Sequence, residues 1–184
     1  ECIHSYSLIH DDLPCMDNDD IRRGKLSTHK KYGESTAILA GNSLLTLAFE
    51  ILSDKKLKLK NKIKMELISL LASSTGYTGI AGGQYLDLYF ENKKVSKLKI
   101  MDMQNKKTGK LFSFCCGSSA IIKEKKIFTK KNLNQIGLDI GLLFQIGDDL
   151  IDIKGNIRKT GKLTQKDIKK GKATLINLLG HSNT

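Results

Sequence analysis

The segment SLIHDDLPCMDNDDIRRG, residues 7–24, concentrates side chains that could bind a metal ion and phosphate. Carboxylates this close repel one another unless a cation lies among them. Oxygen ligands suit a hard divalent ion, and Mg²⁺ commonly shares its coordination sphere with substrate phosphates. Arginines could bind those phosphates bidentately. The segment therefore predicts a site for Mg²⁺ and a phosphorylated substrate, built from Asp11, Asp12, Asp17, Asp19, Asp20, Arg22 and Arg23.

A solvated acidic turn is the plainer interpretation of the same segment, because Asp, Asn and Pro form turns for local reasons. A calcium-binding EF-hand loop is not supported by the spacing. Such a loop starting at Asp17 would place Ile21 at its fifth position, where an acidic or amide side chain is required.

A second acidic cluster lies in FQIGDDLIDI, near the end of a helical pattern, and contains Asp148, Asp149 and Asp152. Asp148 and Asp152 are four residues apart, so they share one helix face, where like charges destabilise a bare helix. An exposed, solvated face remains the simple alternative for this cluster alone. Two such clusters on apolar helices instead favour two carboxylate sets that face each other across a cavity and bridge a diphosphate through Mg²⁺. Loss of diphosphate from an allylic carbon would leave a carbocation, which needs an apolar, water-free cavity.

Helices must position both clusters. Apolar residues recur with helical spacing, and no segment shows the alternation of a half-buried strand. Pro14 should end the first helix. Polar or charged connections are expected at 28–33 and 54–60, and the glycine-rich segment 76–87 lacks a phosphate-loop motif. We predict an all-α chain with helices over 2–12, 34–52, 62–75, 101–119 and 132–153.

The bulk composition limits the classes of function. A chain of 184 residues is expected to form one domain. Its formal net charge of +12 comes from scattered lysines, which favours a solvated surface over a polyanion-binding face. No nucleic-acid-binding module is recognisable. The longest apolar candidate, 35–53, is interrupted by Asn42, Ser43 and Thr46, so we expect no membrane span.

The cysteines form no CxxC pair and no zinc-type cluster with histidine. We therefore expect reduced, buried thiols in a cytoplasmic protein at Cys2, Cys15, Cys115 and Cys116.

Several segments together resemble the trans-polyprenyl diphosphate synthases, most closely the bacterial farnesyl diphosphate synthase branch. They are ECIHSYSLIHDDLPCMDNDDIRRGK, KYGESTAILAGNSLLTLAFEIL, GGQYLDL, KTGKLF and FQIGDDLIDI. The resemblance implies the all-helical isoprenoid synthase bundle with a central cavity. It implies Mg²⁺-dependent, head-to-tail condensation of isopentenyl diphosphate with dimethylallyl or geranyl diphosphate to give farnesyl diphosphate. It also implies a homodimer, which we expect to be cytoplasmic, with no nucleic-acid partner and no membrane span.

The chain begins at Glu1, apparently within a helix, and the family's upstream Gly-Lys-x-x-Arg segment is not part of it. We therefore expect residues 1–184 to be a single, partial catalytic domain, truncated at both ends, with the first and last helices of the family missing. Gly147 stands where the bacterial enzymes commonly have a polar residue, which could loosen the second acidic helix.

The resemblance implies a role for each matched residue. Three Mg²⁺ ions would be held by Asp11, Asp12, Asp17, Asp148, Asp149 and Asp152. Isopentenyl diphosphate would contact His4 and Arg23, and the allylic diphosphate would contact Arg22, Lys107 and Lys162. Lys172, which matches the family's late Gly-Lys pair, would be a further substrate-binding residue. Thr108 and Gln145 would face the carbocation, and the catalytic residues would be Lys107, Thr108 and Gln145. Without the resemblance, each of three residues has a plainer interpretation. His4 would be a hydrogen-bonded core histidine, Lys107 a surface lysine and Gln84 a glutamine that packs between helices.

Product length in this family is limited four and five positions before the first aspartate, here at Ser7 and Tyr6. A tyrosine there resembles the enzymes that make a C15 product, whereas geranylgeranyl synthases tend to have a smaller residue. Geranylgeranyl synthase therefore remains the nearest alternative. A terpene cyclase would usually carry an Asn/Ser/Glu metal triad in place of DDLID, and a non-catalytic regulatory subunit would commonly have lost its aspartate motifs.

Overall fold

The computed structural model describes residues 1–154 and 171–179. The described residues form two compact units, one running from Glu1 to Lys58 and the other comprising 59–154 and 171–179. Helices dominate both units, which confirms the all-α prediction. Each unit carries one of the two acidic clusters.

The first unit contains three helices and one small hairpin. Its elements are α1 (Cys2–Asp11), β1 (Ile21–Arg22), β2 (Lys25–Leu26), α2 (Thr28–Tyr32) and α3 (Glu34–Ser53). The antiparallel strands are joined by Arg23 and Gly24, whose φ angles of 52° and 76° are both positive. Two successive positive φ values are typical of the type I′ turn, whose twist matches that of a tight hairpin. The hairpin therefore fixes where the two arginines of the RRG sequence lie relative to α1.

Close packing of α1 against α3 depends on a glycine. A Cβ atom on Gly41 would lie 2.1 Å from Nε2 of His10, so a larger residue would displace the imidazole. That nitrogen lies 3.1 Å from the carbonyl oxygen of Ile38, and because a carbonyl can only accept, His10 donates through Nε2. Ala37, fully buried, completes the small-residue surface of α3. The small residues thus allow close contact between the two helices.

In the second unit, all the secondary-structure elements among the described residues are helical. Its elements are α4 (Asn61–Thr75), α5 (Ile80–Tyr89), α6 (Lys97–Gln104), a π-helical turn (Asn105–Gly109), α7 (Lys110–Ile122), α8 (Ile127–Lys154) and α9 (Leu175–Leu179). Helices α7 and α8 pack along each other. The core around α6 joins Phe90, Ile100, Met103 and Leu175, so α9 is anchored on the same apolar cluster as α5 and α6.

Most helix boundaries agree with the sequence prediction to within two residues, and α1 ends before Pro14 as expected. The connection predicted at 28–33 is wrong, because Thr28–Tyr32 forms α2. Helix α8 begins five residues earlier than predicted, at Ile127 rather than Asn132. The short hairpin was also not foreseen.

The prediction that all four cysteines are buried is wrong for two of them. Cys15 and Cys115 are exposed, because Cys15 lies in the polar turn after α1 and Cys115 on the outer face of α7. Cys2 and Cys116 are partly buried, and none of the four cysteines forms a disulfide.

Among the described helices, α3 is long and apolar enough to cross a membrane by length and composition alone. Asn42, Ser43 and Thr46 are uncharged, so they do not remove the helix from this class, and the absence of a membrane span stays a prediction. One such helix is weak evidence for a membrane span, since the core helix of a soluble protein passes the same test. Here α3 presents apolar side chains at the surface of its unit, including Leu39 and Ile51.

Candidate active site

The first acidic cluster is built where α1 ends. The backbone N–H of Asp17 donates to the carbonyl of Asp11 at 2.8 Å, and that of Asp19 donates to the carbonyl of Asp12 at 3.1 Å. These two bonds fold the LPCMDND turn back onto the end of the helix. The structure therefore brings the aspartates of the first motif to the end of α1, and their sharing of one metal site stays a prediction.

Asp12 and Arg22 form the central ion pair of this cluster. Arg22 donates to the buried Asp12 carboxylate through both Nε, at 3.0 Å from Oδ1, and Nη2. Nη2 also lies 3.6 Å from a carboxylate oxygen of Asp19. Burial alone would lower the pKa of Arg22, but its carboxylate partners outweigh that effect and raise it. Asp12 therefore serves to hold the guanidinium group in place.

His4 and Arg23 meet on the neighbouring surface of α1. Arg23 Nη2 lies 3.0 Å from Nε2 of His4, and because arginine can only donate, that nitrogen accepts and the imidazole proton is on Nδ1. Burial, and then the Arg23 charge, lower the pKa of His4 below its ordinary value, so the imidazole is neutral at pH 7. The pair matches the two residues expected to share isopentenyl diphosphate.

The carboxylates suit Mg²⁺ only in combination with other oxygen donors. Within the described part of the chain, no three His, Cys, Asp or Glu side chains converge closely enough to hold a metal ion. Mg²⁺ is usually bound by one or two carboxylates together with waters and substrate phosphates, not by an all-protein cage. The partly buried Asp11 and Asp17 therefore fit a metal that is bound together with a phosphorylated substrate.

In the second unit, Asp149 anchors a chain of polar side chains. Its two carboxylate oxygens accept from Nε2 of Gln145 at 2.8 Å and from Nε2 of Gln104 at 3.4 Å. Because Nε2 of Gln145 faces a carboxylate, its Oε1 must face the Thr108 hydroxyl group, which donates to it at 3.0 Å. Thr108 and Gln145, both expected to face the carbocation, are thus in direct contact and share one fixed orientation.

The other aspartates of the second motif differ in exposure. Asp149 and Asp152 are buried, at 2% and 4% exposure, whereas Asp148 is partly exposed. The spacing predicted one shared face for Asp148 and Asp152, but the fold buries Asp152 more deeply. Of the three, Asp148 is best placed to accept a ligand from solvent.

Lys107 lies in the π-helical turn, in contact with α5. Its ammonium group donates to Oδ2 of Asp87 at 2.8 Å, and Lys172 donates to the same oxygen at 2.6 Å. A Cβ on Gly83, one turn before Asp87, would lie 2.1 Å from the Lys107 backbone nitrogen, so glycine permits this approach. Sequence reasoning did not assign Asp87, although it lies in the quoted segment GGQYLDL.

Gln84 is a second polar residue that the sequence did not place firmly. It is only 8% exposed, and neither atom of its amide has a hydrogen-bond partner among the described residues. Its position next to Gly83 places its backbone beside the turn that carries Lys107. An unpaired buried amide of this kind is costly unless a ligand or water satisfies it.

The residues expected to set product length lie on α1. The ring of Tyr6 meets the His10 ring edge-on, with centroids 5.0 Å apart, and Ser7 donates to the carbonyl of His4 at 3.0 Å. Burial, and then the Asp11 carboxylate, raise the pKa of Tyr6, so its phenol stays protonated. Lys162, the remaining predicted ligand, lies outside the described residues.

Comparison with known proteins places this arrangement in a family. The polyprenyl synthetase family model matches residues 1–183. Farnesyl diphosphate synthase from Micrococcus luteus is 44% identical over 98% of this chain and 61% of its own length. The chain thus spans about three fifths of the length of that relative.

Two solved structures are similar over nearly the whole chain. An FPP/GFPP synthase from Zymomonas mobilis has a TM-score of 0.86 and 44% identity, covering 99% of this chain and 61% of that one. A geranyltransferase from Helicobacter pylori, solved with magnesium and isoprenyl diphosphate, has a TM-score of 0.89 and 40% identity, covering 98% and 59%. The chain is therefore a member of the polyprenyl synthetase family.

Proposed function

We propose that the full-length protein is a Mg²⁺-dependent prenyltransferase that condenses isopentenyl diphosphate with dimethylallyl or geranyl diphosphate to give farnesyl diphosphate. The observation that carries the proposal is the hydrogen-bonded chain from Thr108 through Gln145 to Asp149, beside the second aspartate motif. It holds a hydroxyl oxygen and an amide in fixed orientation, as stabilisation of a carbocation requires. The match to farnesyl diphosphate synthases over nearly the whole chain supports the same reaction.

Asp11, Asp17 and Asp148 are the proposed Mg²⁺ ligands, and three ions are proposed for the complete site. Mg²⁺ bound with the diphosphate would act as a Lewis acid that makes it a better leaving group. Asp12 and Asp149 support this set indirectly, since Asp12 holds Arg22 and Asp149 holds Gln145. Asp152 is assigned the same supporting role because it is buried.

The chain's own cations are proposed to bind the two substrates. Arg22, fixed by Asp12, and Lys107, fixed by Asp87, would bind the allylic diphosphate, with Lys162 as a third ligand. Arg23 and neutral His4 would contact isopentenyl diphosphate, with Arg23 supplying the charge.

Once the allylic carbon ionises, uncharged dipoles must stabilise it without trapping it. The Thr108 hydroxyl hydrogen is donated to Gln145, so the oxygen lone pairs point away from that bond. Those lone pairs present a partial negative charge to a neighbouring cation. A neutral hydroxyl near a cation is a weaker nucleophile than a carboxylate, which suits a site that must release its product.

A cytoplasmic homodimer is also proposed. The exposed apolar side chains of α3, such as Leu39 at 65% and Ile51 at 49% exposure, support an additional protein contact on this helix. Light scattering of the full-length gene product at micromolar concentration should give twice the monomer mass, and a monomer mass would refute the proposal.

The direct test supplies isopentenyl and geranyl diphosphates with Mg²⁺ to the full-length gene product and identifies the product by mass spectrometry. A C15 diphosphate is expected. A C20 diphosphate would instead assign geranylgeranyl synthase activity. Absence of any longer prenyl diphosphate, from protein shown by circular dichroism to be folded, would refute the proposed function.

A further inference from the structure

One carboxylate oxygen holds two lysines in the second unit. Oδ2 of Asp87 accepts from Nζ of Lys107 at 2.8 Å and from Nζ of Lys172 at 2.6 Å, and Lys172 also lies 3.3 Å from Oε1 of Glu91. The side chains are 9% exposed for Asp87, 7% for Lys172 and 23% for Lys107. The row of charges therefore runs from the interior, at Lys172, outward to Lys107.

Three separate segments contribute to this row, and each is held in place independently of the charges. Asp87 is on α5, Lys107 is in the π-helical turn against Gly83, and Lys172 precedes α9. The backbone N–H of Asn92 donates to the carbonyl of Gly171 at 2.9 Å, which ties the Lys172 segment to the end of α5. The geometry is thus built by the fold rather than by mobile surface side chains.

We infer that Asp87 and Lys172 are positioning residues for Lys107, and that only Lys107 of the two lysines contacts the allylic diphosphate. This inference rests on the proposed function, because it assigns Lys107 to substrate binding. Lys172, which the family resemblance implied to be a substrate ligand, is instead an internal counter-ion.

Two physical arguments support this division of roles. A lysine as buried as Lys172, with its ammonium between two carboxylates, would have to break buried ion pairs to reach a substrate, which is costly. An ammonium has three donors, so Lys107 can keep its bond to Asp87 while donating to a phosphate oxygen. Asp87 would thus fix the direction of Lys107 without occupying all of its donors.

The charge state of Asp87 is consistent with that role. Burial alone would raise the pKa of Asp87, but the Lys107 and Lys172 ammonium groups outweigh burial and hold it below its ordinary value. Asp87 is therefore ionised at neutral pH and available as an acceptor for both lysines.

The test uses the full-length protein and measures kcat, KM for geranyl diphosphate and KM for isopentenyl diphosphate. Calorimetric binding of inorganic diphosphate with Mg²⁺ gives a readout that does not depend on turnover. The variants are Asp87→Asn, Lys107→Met, Lys172→Met and the doubles Asp87→Asn/Lys107→Met and Asp87→Asn/Lys172→Met. Asp102→Asn is the matched control, because it removes an exposed Asp–Lys pair, to Lys106, from the neighbouring helix.

Asp87→Asn should raise KM for geranyl diphosphate about tenfold, the usual scale for one misplaced charged hydrogen bond. KM for isopentenyl diphosphate should stay within twofold. Asp87→Asn should add nothing in the Lys107→Met background, because its effect acts through that lysine. Asp87→Asn/Lys172→Met, which removes one buried charge of each sign, guards against misfolding and should show the same raised KM.

Three results would overturn the inference. The first is an unchanged KM for geranyl diphosphate in Asp87→Asn. The second is a rise in KM for geranyl diphosphate in the Asp87→Asn/Lys107→Met double variant that equals the product of the rises in the two single variants. The third is a rise in KM for geranyl diphosphate in Lys172→Met that is equally large when the same substitution is made in the Asp87→Asn background. That result would make Lys172 a direct ligand. If the unaltered protein transfers no prenyl group but binds diphosphate in an Asp87-dependent way, the proposed function fails and the positioning role stands.

Discussion

Replacing Asp149 with asparagine should disable the Thr108–Gln145 pair without removing either residue. Asp149 accepts from two amides, whereas asparagine of the same size offers one acceptor and one donor group. Nε2 of Gln104 lies 3.4 Å from one carboxylate oxygen of Asp149, and Nε2 of Gln145 lies 2.8 Å from the other. The asparagine NH₂ group would therefore face the NH₂ group of one of these glutamines. A rotated Gln145 amide would present its NH₂ group towards Thr108 and break the orientation of that hydroxyl.

The magnitude follows from the burial of Asp149, which is 2% exposed. Loss of a buried hydrogen bond to a charged acceptor costs about 1.5–3 kcal/mol of unfolding free energy. At roughly 2–4 °C per kcal/mol for a chain of this size, the melting temperature should fall by about 3–12 °C. Loss of one oriented dipole at the reacting centre should lower kcat by about 100-fold.

The control comes from the same helix. Gln135 donates to Asp139 at 2.8 Å with the same four-residue spacing, but this pair is exposed. Asp139→Asn should cost only about 0.2–0.5 kcal/mol and leave kcat unchanged. The assay is steady-state release of C15 product, together with thermal unfolding of each variant.

A further variant separates positioning from general destabilisation. In a Gln145→Leu background, Asp149→Asn should lower kcat no further, because the residue it orients is already gone. A folded Asp149→Asn protein with kcat within threefold of the unaltered enzyme would refute the reasoning. An equal loss of kcat in Asp149→Asn and Asp139→Asn would also refute it.

Three other perturbations test the first unit. Tyr6→Ala should shift the product from C15 towards C20 or longer, and an unchanged C15 product would show that Tyr6 does not limit chain length. Gly41→Ala should destabilise the protein by about 1–3 kcal/mol in urea unfolding, because its Cβ would meet the ring of His10; a change below about 0.5 kcal/mol would contradict the packing. The folded-state pKa of His4 is lowered, so its contribution to stability is complete above about pH 6.5 and is lost as pH falls through the window between the unfolded and folded pKa values. His4→Gln should therefore flatten the melting temperature between pH 7 and 5, and an unaltered slope would contradict the neutral-histidine assignment.

The sequence predicted those features that depend on local rules. Pro14 marked the end of α1, and the helical periodicity located α3 and α4 to within one residue. The family resemblance predicted that Thr108 and Gln145 both face the carbocation; the structure places them in contact, and the role itself stays a prediction. That Asp11 and Asp148 act on one diphosphate stays a prediction.

Other features depend on contacts that local patterns do not encode. Strands of two residues, such as Ile21–Arg22, are too short for alternation to be visible. Asp87 meets Lys172 across 85 positions, and no spacing rule connects them. The exposure of Cys115 depends on which face of α7 packs against its neighbours.

The π-helical turn at Asn105–Gly109 has a consequence for how the neighbouring side chains are aimed. A π turn closes five residues apart instead of four, so it amounts to one residue inserted into an α-helix. One residue corresponds to about 100° of rotation. Lys107 and Thr108 are adjacent in the chain yet contact different helices, α5 and α8 respectively. Deleting a single residue here would let the helix continue as a regular α-helix with the segments on either side in their present register, but it would change which side chains of the turn face α5 and which face α8. The π-helical turn thus sets the relative directions of the Lys107 ammonium group and the Thr108 hydroxyl group.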